Sequence, residues 1–361
     1  MKKKIHWIKL LIDIAVWVVA AWLFIFIRFV GHQGELYAPW DPSLVLNGRV
    51  LFQTSTALGL FVGVTYYLAE KLFGRTFASK MSYGKLITLK SLTFFSVYVI
   101  GISIINARVY ISAHYEFQFY DWLNRFFTPR LIVLLAYLLV LTVMINFIKQ
   151  MNLKIGPGNL AKLMTGKYHK PTRSEKIFMF LDLKSSTTIA EKLGDIKHSR
   201  LLQDCFYDLS IVTEYKAEIY QYVGDEVVLI WSPKTGILDN NCLRAYFAFS
   251  DKLLSRESYY TSNYGLVPFF KAGMNIGNIT IAEVGIIKRE IAYHGDTINT
   301  AARIQGMCNE YDAELLISGA LRDRLINYDE YKISLIGDIP LKGKNIASKI
   351  FDVKEKYSQK N

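Results

Sequence analysis

The 361 residues predict two unlike parts, an all-α membrane domain of four transmembrane helices and then an α+β domain with its helices packed on one sheet. Three observations carry this. Hydrophobic residues make up 52% of the chain, yet the long apolar runs all fall before residue 150. The formal charge of +12 is equally uneven: residues 1–149 hold 15 Lys/Arg against 6 Asp/Glu, 150–174 hold 5 against none, and 175–361 hold 23 against 25. Beyond residue 174, short β-rich runs alternate with amphipathic stretches. The expected boundaries are 1–149 for the membrane domain, 150–174 for a basic cytoplasmic linker, 175–356 for the α+β domain and 357–361 for a tail. Because the positive surplus belongs to the membrane part and its edge, the main support for nucleic-acid binding is gone.

Four stretches are long and apolar enough to span a bilayer: Ile8 to Phe29, Val50 to Ala69, Leu86 to Asn106 and Leu131 to Ile148. Met1-Lys2-Lys3-Lys4 before the first resembles the start of a signal peptide, but the apolar run is too long and lacks a small-residue cleavage site, so it is expected to stay as an anchor. Lys2, Lys3, Lys4 and Lys9 precede span one, Lys71, Arg75, Lys80 and Lys85 join spans two and three, and five bases follow Lys149. The positive-inside tendency puts these on the cytoplasmic side, so a multi-pass protein of the cell membrane is expected, with its N-terminus and its second domain in the cytoplasm. Trp40, Tyr110, Tyr115, Phe117, Phe119, Tyr120 and Trp122 in the outer loops suit the headgroup belt. Asp13, an acid within the first span, reads equally as a group inside the bundle or as a snorkelled surface residue.

In the linker, Gly156-Pro157-Gly158 cannot continue the fourth helix, and Asn159 caps a short amphipathic piece, LAKLM, before a second break at Gly166. Its lysines suit anionic lipid headgroups, though a passive linker explains them as well.

The second domain opens with IFMFLDL (177–183), a nearly unbroken apolar run that predicts a strand covered on both faces, with Asp182 its one charge. A buried carboxylate must be neutral, paired with a base, or bound to a metal. KSSTTIAEKLGD then starts a helix on capping hydroxyls, and the amides around Ser185, Ser186 and Thr187 can receive a phosphate. A helix over about His198 to Tyr215 follows. EIYQYVGDEVVLIW places two β-rich runs around Gly224-Asp225, which predicts a hairpin with Asp225 at its tip. Asp182 and Asp225 together can hold one or two hard divalent cations through oxygen, although either alone reads equally as a structural or turn aspartate. A helix is expected around Asn241 to Ser255, then two strands, FFKAGMNIG and ITIAEVG. In HGDTINTAARI, Asn299 and Arg303 stand four apart on one helical face, an arrangement suited to a sugar and a phosphate, though exposed Asn and Arg are often merely solvated. IPLKGKNIASKIFDV predicts a terminal hairpin with Lys342 and Lys344 at its turn. Cys205, Cys242 and Cys308 lack the paired spacing of a zinc site and read as reduced thiols, and the six histidines are scattered.

FLDLKSST, YQYVGDEVV, FKAGMNIG, YHGDTINTAAR and LKGK, in that order, resemble the catalytic domain of class III nucleotidyl cyclases, the adenylate and guanylate cyclases, over about half of the chain. The resemblance implies a ferredoxin-like, palm-type α+β fold and a cyclase that converts ATP to 3′,5′-cyclic AMP and pyrophosphate. It implies two Mg2+ or Mn2+ ions on Asp182, Asp225 and the main-chain carbonyl of Leu183, with Asn299 orienting the ribose, Arg303 stabilising the transition state and Lys342 on the terminal phosphates, where Lys344 is close enough to compete. It implies further a homodimer whose two sites each combine the aspartates of one chain with the Asn/Arg helix of the other. At the positions where the family reads the base stand Gln221 and Ala292; Gln can serve either purine and Ala neither, and the absence of a Glu favours ATP over GTP. A guanylate cyclase and a catalytically silent nucleotide-binding sensor are the alternatives. A diguanylate cyclase is disfavoured, because VGDEV lacks the doubled glycine of that family's GGDEF signature.

Overall fold

The structure, a computed structural model, describes residues 2–31, 48–72, 81–114, 119, 120, 123, 129–156, 159–340 and 347–356. It divides into two compact units, Met1–Lys154 and Ile155–Asn361.

Among the described residues the first unit contains four long helices, α1 (Lys2–Gly31), α2 (Gly48–Leu72), α3 (Tyr83–His114) and α4 (Pro129–Ile155). Three carry stretches long and apolar enough to cross a membrane, Trp7–Ile27, Tyr83–Ile104 and Leu131–Ile155. α2 has the length, at 25 residues, but Gln53, Ser55, Thr56, Glu70 and Lys71 dilute its apolar character. It packs on α1 through a small-xxx-small pair: a Cβ at Gly59 would meet the Val18 Cα at 2.5 Å, and one at Gly63 the Ile14 Cα at 2.7 Å. Trp17, Tyr66, Phe94 and Tyr98 fill the interior, while Leu11, Val19, Ile132, Val140 and Phe147 face outward. Asp13 is paired inside the unit, its Oδ1 accepting from Lys149 Nζ at 2.8 Å, and the same ammonium lies 4.4 Å from the centre of the Tyr66 ring. The Tyr66 hydroxyl donates to Asn146 Oδ1 (2.8 Å), whose amide donates to Ser91 Oγ (3.1 Å). Of the loop aromatics, Phe119 and Tyr120 are exposed and meet edge to face; Trp40, Tyr115, Phe117 and Trp122 lie outside the described residues.

In the second unit, α5 (Asn159–Met164) follows Gly156, held at φ +98°, and precedes β1 (Thr172–Leu183). Next come α6 (Ser186–Leu193), α7 (Asp195–Asp208), the hairpin β2 (Glu218–Val223) and β3 (Glu226–Trp231), α8 (Asn241–Leu254) and α9 (Glu257–Tyr264). β4 (Phe270–Val284), β5 (Glu290–His294), α10 (Asp296–Gly306), β6 (Leu315–Ser318), β7 (Tyr331–Ile339) and β8 (Ser348–Glu355) follow, with short helical turns at Pro233–Ile237 and Gly319–Arg322. Two expectations change. The helix placed over His198 to Tyr215 starts at Asp195, stops at Asp208 and runs on as a 3-10 turn through Tyr215. The two strands placed over FFKAGMNIG and ITIAEVG are one strand of 15 residues, since Gly277 and Asn278 stay in the ladder opposite Lys176 and Glu175.

The described strands form one sheet of order β2-β3-β1-β4-β6-β8-β7, with β5 paired to β4. β1 is covered on both faces, as its apolar run requires: Ile177, Met179 and Leu181 enter a core with Leu201, Leu209, Tyr246 and Phe249, and Phe178 and Phe180 enter another with Tyr293 and Ala301. The second face receives α10 on two glycines of β4. A Cβ at Gly273 would come within 2.1 Å of the Gln305 main-chain nitrogen, and one at Gly277 within 2.6 Å of Thr297 Oγ1. Asn275 Nδ2 donates to the Thr297 carbonyl and Thr297 Oγ1 to that of Asn278, which pins the start of α10. The glycines of FKAGMNIG are therefore a bed for the helix that carries Asn299 and Arg303.

Candidate active site

Asp182 lies one residue from the end of β1, opposite Glu226 of β3, on the face that carries Phe178 and Phe180. The β2–β3 turn is Gly224-Asp225, with Gly224 at φ +62°, a left-handed conformation that suits glycine. This turn returns Asp225 toward the end of β1, close enough for its charge to act on Asp182. Partial burial first, and then the Asp225 charge, raise the Asp182 pKa; donation from the Gln305 side chain opposes them. Glu226 is pushed up to about 7 by burial, then by Asp182 and Asp225. Acids crowded together in this way form a site that a divalent cation would neutralise, and hard oxygen donors are what such a cation takes. The donor set fits: Asp182 and Asp225 would hold the ion, with the Leu183 main chain beside them. Among the described residues no group of three or more His, Cys, Asp or Glu side chains is arranged to hold a metal, so Glu226 feels both aspartates without completing a cage.

Asn299 is exposed on α10. Arg303 is half-buried, with Nη1 at 3.7 Å from Asp296 Oδ1 and without a hydrogen-bond partner. Among the described residues no hydrogen bond or ion pair joins Asn299 or Arg303 to Asp182 or Asp225. Ser185, at φ +59°, makes the corner from β1 into α6 without a side-chain cap, Ser186 Oγ lies 3.3 Å from His198 Nε2, and Thr187 is exposed. Gln221 is exposed beside an irregularity in the β2–β3 ladder, and Ala292 pairs with Ala282 on β4. Their neighbours Tyr220 and Tyr293 meet edge to face at 4.6 Å, so the two base-reading positions flank one aromatic contact. Lys342 and Lys344 lie outside the described residues. The three cysteines are buried, each thiol pushed up to about 12 chiefly by burial, as befits packing groups.

The sequence pattern singled out neither Glu226 nor Gln305. Glu226 was visible only as the residue after Asp225. Gln305 gave no signal, because only the closeness of α10 to Gly273 brings it to Asp182.

Residues 169–355 match the family described as "Adenylate and Guanylate cyclase catalytic domain". The chain is similar to adenylate cyclase 2 of Rhizobium meliloti (strain 1021), 30% identical over 297 residues, which cover 82% of this chain and 80% of that protein. It is 25% identical to an adenylate cyclase of Anabaena cylindrica over 181 residues, 49% of this chain and 36% of the relative. Among solved structures, a bacterial light-regulated adenylyl cyclase superposes with a TM-score of 0.54 at 16% identity, over 64% of this chain and 69% of the other.

Proposed function

The chain belongs to the family of the adenylate and guanylate cyclase catalytic domain, and from that premise we propose that it is a membrane-anchored, homodimeric cyclase that turns ATP into 3′,5′-cyclic AMP and pyrophosphate. The observation that carries the proposal is the convergence of Asp182 and Asp225 at the end of β1, where burial and then the Asp225 charge raise the Asp182 pKa.

Two divalent ions, Mg2+ or Mn2+, held by Asp182, Asp225 and the Leu183 carbonyl, would supply Lewis acidity to the ribose 3′-hydroxyl and neutralise phosphate charge. In the reaction the 3′-oxygen bonds to the α-phosphorus, its proton leaves to solvent, and the α–β bridging bond breaks to release pyrophosphate. Arg303, whose Nη1 lacks a hydrogen-bond partner, stabilises the charge that grows on the α-phosphoryl oxygens. Asn299 orients the ribose. The amides that open α6, from Ser185 to Thr187, face the phosphates, and Lys342 serves the terminal ones. A partner copy supplies Asn299 and Arg303, a reading supported by their lack of contact with the aspartates of their own chain.

ATP is favoured because Gln221 can donate to adenine N1 and accept from its N6 amine, while no carboxylate stands at 221 or 292 to accept from guanine. The relatives named as adenylate cyclases point the same way. In the membrane part α2 would serve as a fourth span beside the three apolar helices, and the basic residues at the α1 start and in 150–174 put the termini and the cyclase in the cytoplasm. Linker lysines rest on anionic lipid.

The test is cyclic nucleotide formed by the purified full chain with Mn2+ or Mg2+ and ATP or GTP. Cyclic AMP is expected, and Asp225→Ala is expected to leave the fold intact while turnover falls by more than about 100-fold, beyond the loss of an outer-shell partner. Nucleotide binding without any cyclic product would favour the silent sensor instead.

A further inference from the structure

α10 carries another polar side chain that points elsewhere. Asn299 and Arg303 share one face of the helix, whereas Gln305 lies two residues beyond Arg303, about 200° further round. Its Nε2 donates to Asp182 Oδ2 of the same chain at 3.3 Å. The contact is built into the packing: Gly273 leaves no side chain between β4 and the Gln305 main chain, and Gly273 pairs with Phe180, two residues before Asp182. The helix turn that bears Gln305 is thus fixed close to the strand that bears the acid.

We propose that Gln305 is a positioning residue that orients the Asp182 carboxylate for divalent-cation binding; the proposal rests on the metal-binding reading of Asp182. An aspartate is weakly restrained about its last torsion, and the Gln305 side chain restrains this one by donating to its Oδ2. An ionised carboxylate has room for about four acceptor contacts, so one donor leaves room for a cation. The neutrality of the amide matters equally. A Lys or Arg here would compete with the cation for Asp182, and a Glu would add a negative charge beside Asp182, Asp225 and Glu226. Glutamine donates while adding neither charge.

The experiment follows thermal unfolding of the full-length protein over a Mn2+ titration without nucleotide, because a ligand of the native state raises the midpoint in proportion to its binding free energy. Gln305→Met and Gln305→Ala are compared with the parent and with Asp182→Asn. Expected are unchanged metal-free midpoints for both Gln305 variants and about a 10- to 100-fold higher Mn2+ concentration for the same rise. Gln305 variants that follow the parent titration would overturn the positioning role, and so would variants whose metal-free midpoint alone falls. A parent without any Mn2+ response, or an Asp182→Asn protein that responds like the parent, would overturn the metal-binding reading itself.

Discussion

Asp182 stands directly opposite Glu226 in the antiparallel ladder of β1 and β3, while the adjoining turn brings the Asp225 charge to bear on its carboxyl group. The register of one strand pair therefore gathers three acids at a sheet end, and the cost of that crowding is what cation binding would relieve.

The first prediction concerns pH. Glu226 is raised from 4.5 to about 7, and Asp182 is raised as well, so the native state holds these protons more tightly than the unfolded chain does. Their stabilising contribution is complete below pH 4.5 and disappears as pH climbs through about 7. With EDTA present, the thermal midpoint should fall from pH 5 to pH 8, and Glu226→Gln should flatten the slope. Divalent cation should reverse the trend, since it binds the ionised acids. A parent and a Glu226→Gln protein with identical EDTA profiles would contradict this account.

The second prediction concerns the bed of α10. A methyl group at Gly273 would enter the Gln305 main chain at 2.1 Å, and backbone cannot rotate away as a side chain can. Gly273→Ala should cost about 3 kcal/mol, the upper part of the overpacking range, and should lower turnover by displacing Asn299 and Arg303 together. Circular-dichroism melting and cyclic AMP formation on the same sample would check both parts.

These two sites differ in how far the sequence exposed them. The apolar run of β1 required cover on both faces, and Phe178 and Met179 do enter opposite cores. The hairpin was legible because Gly224-Asp225 falls between two β-rich runs. β4 was misread as two strands, because a glycine within a strand pattern signals interruption when no neighbour is in view; Gly277 instead makes room for Thr297. Gln305 was invisible for the same reason, since its meaning comes from tertiary closeness. Asp13 admitted two readings until its partner appeared, as Lys149 lies 136 residues further along the chain.

The third prediction tests that pair. Asp13 is largely buried and Lys149 about a third exposed, and together they tie α1 to the last turns of α4. Lys149→Met should destabilise the detergent-solubilised protein, because it leaves a carboxylate without its counter-ion. Asp13→Asn combined with Lys149→Met should recover part of the loss, with a coupling energy on the order of 1–3 kcal/mol in a double-mutant cycle. Additive losses would mean that the two side chains do not stabilise one another.

The fourth prediction addresses the choice of base. Gln221 is exposed in the single chain, on the strand that leads to Asp225, with Tyr220 and Tyr293 beside it. Its amide offers one acceptor and two donors, a set that matches adenine and also tolerates guanine. Glutamate at the same place offers acceptors only. It can take both the N1 and N2 protons of guanine, whereas toward adenine it loses the donor for N1. A hydrogen bond to a charged group contributes about 1.5–3 kcal/mol, so Gln221→Glu should move the kcat/KM ratio toward GTP by about 10- to 100-fold. Parallel assays of cyclic AMP and cyclic GMP on parent and variant would read the ratio directly. A variant that loses both activities equally, with its fold intact, would place residue 221 outside the base pocket and leave Ala292 and the tyrosine pair as the surface against which the purine is read.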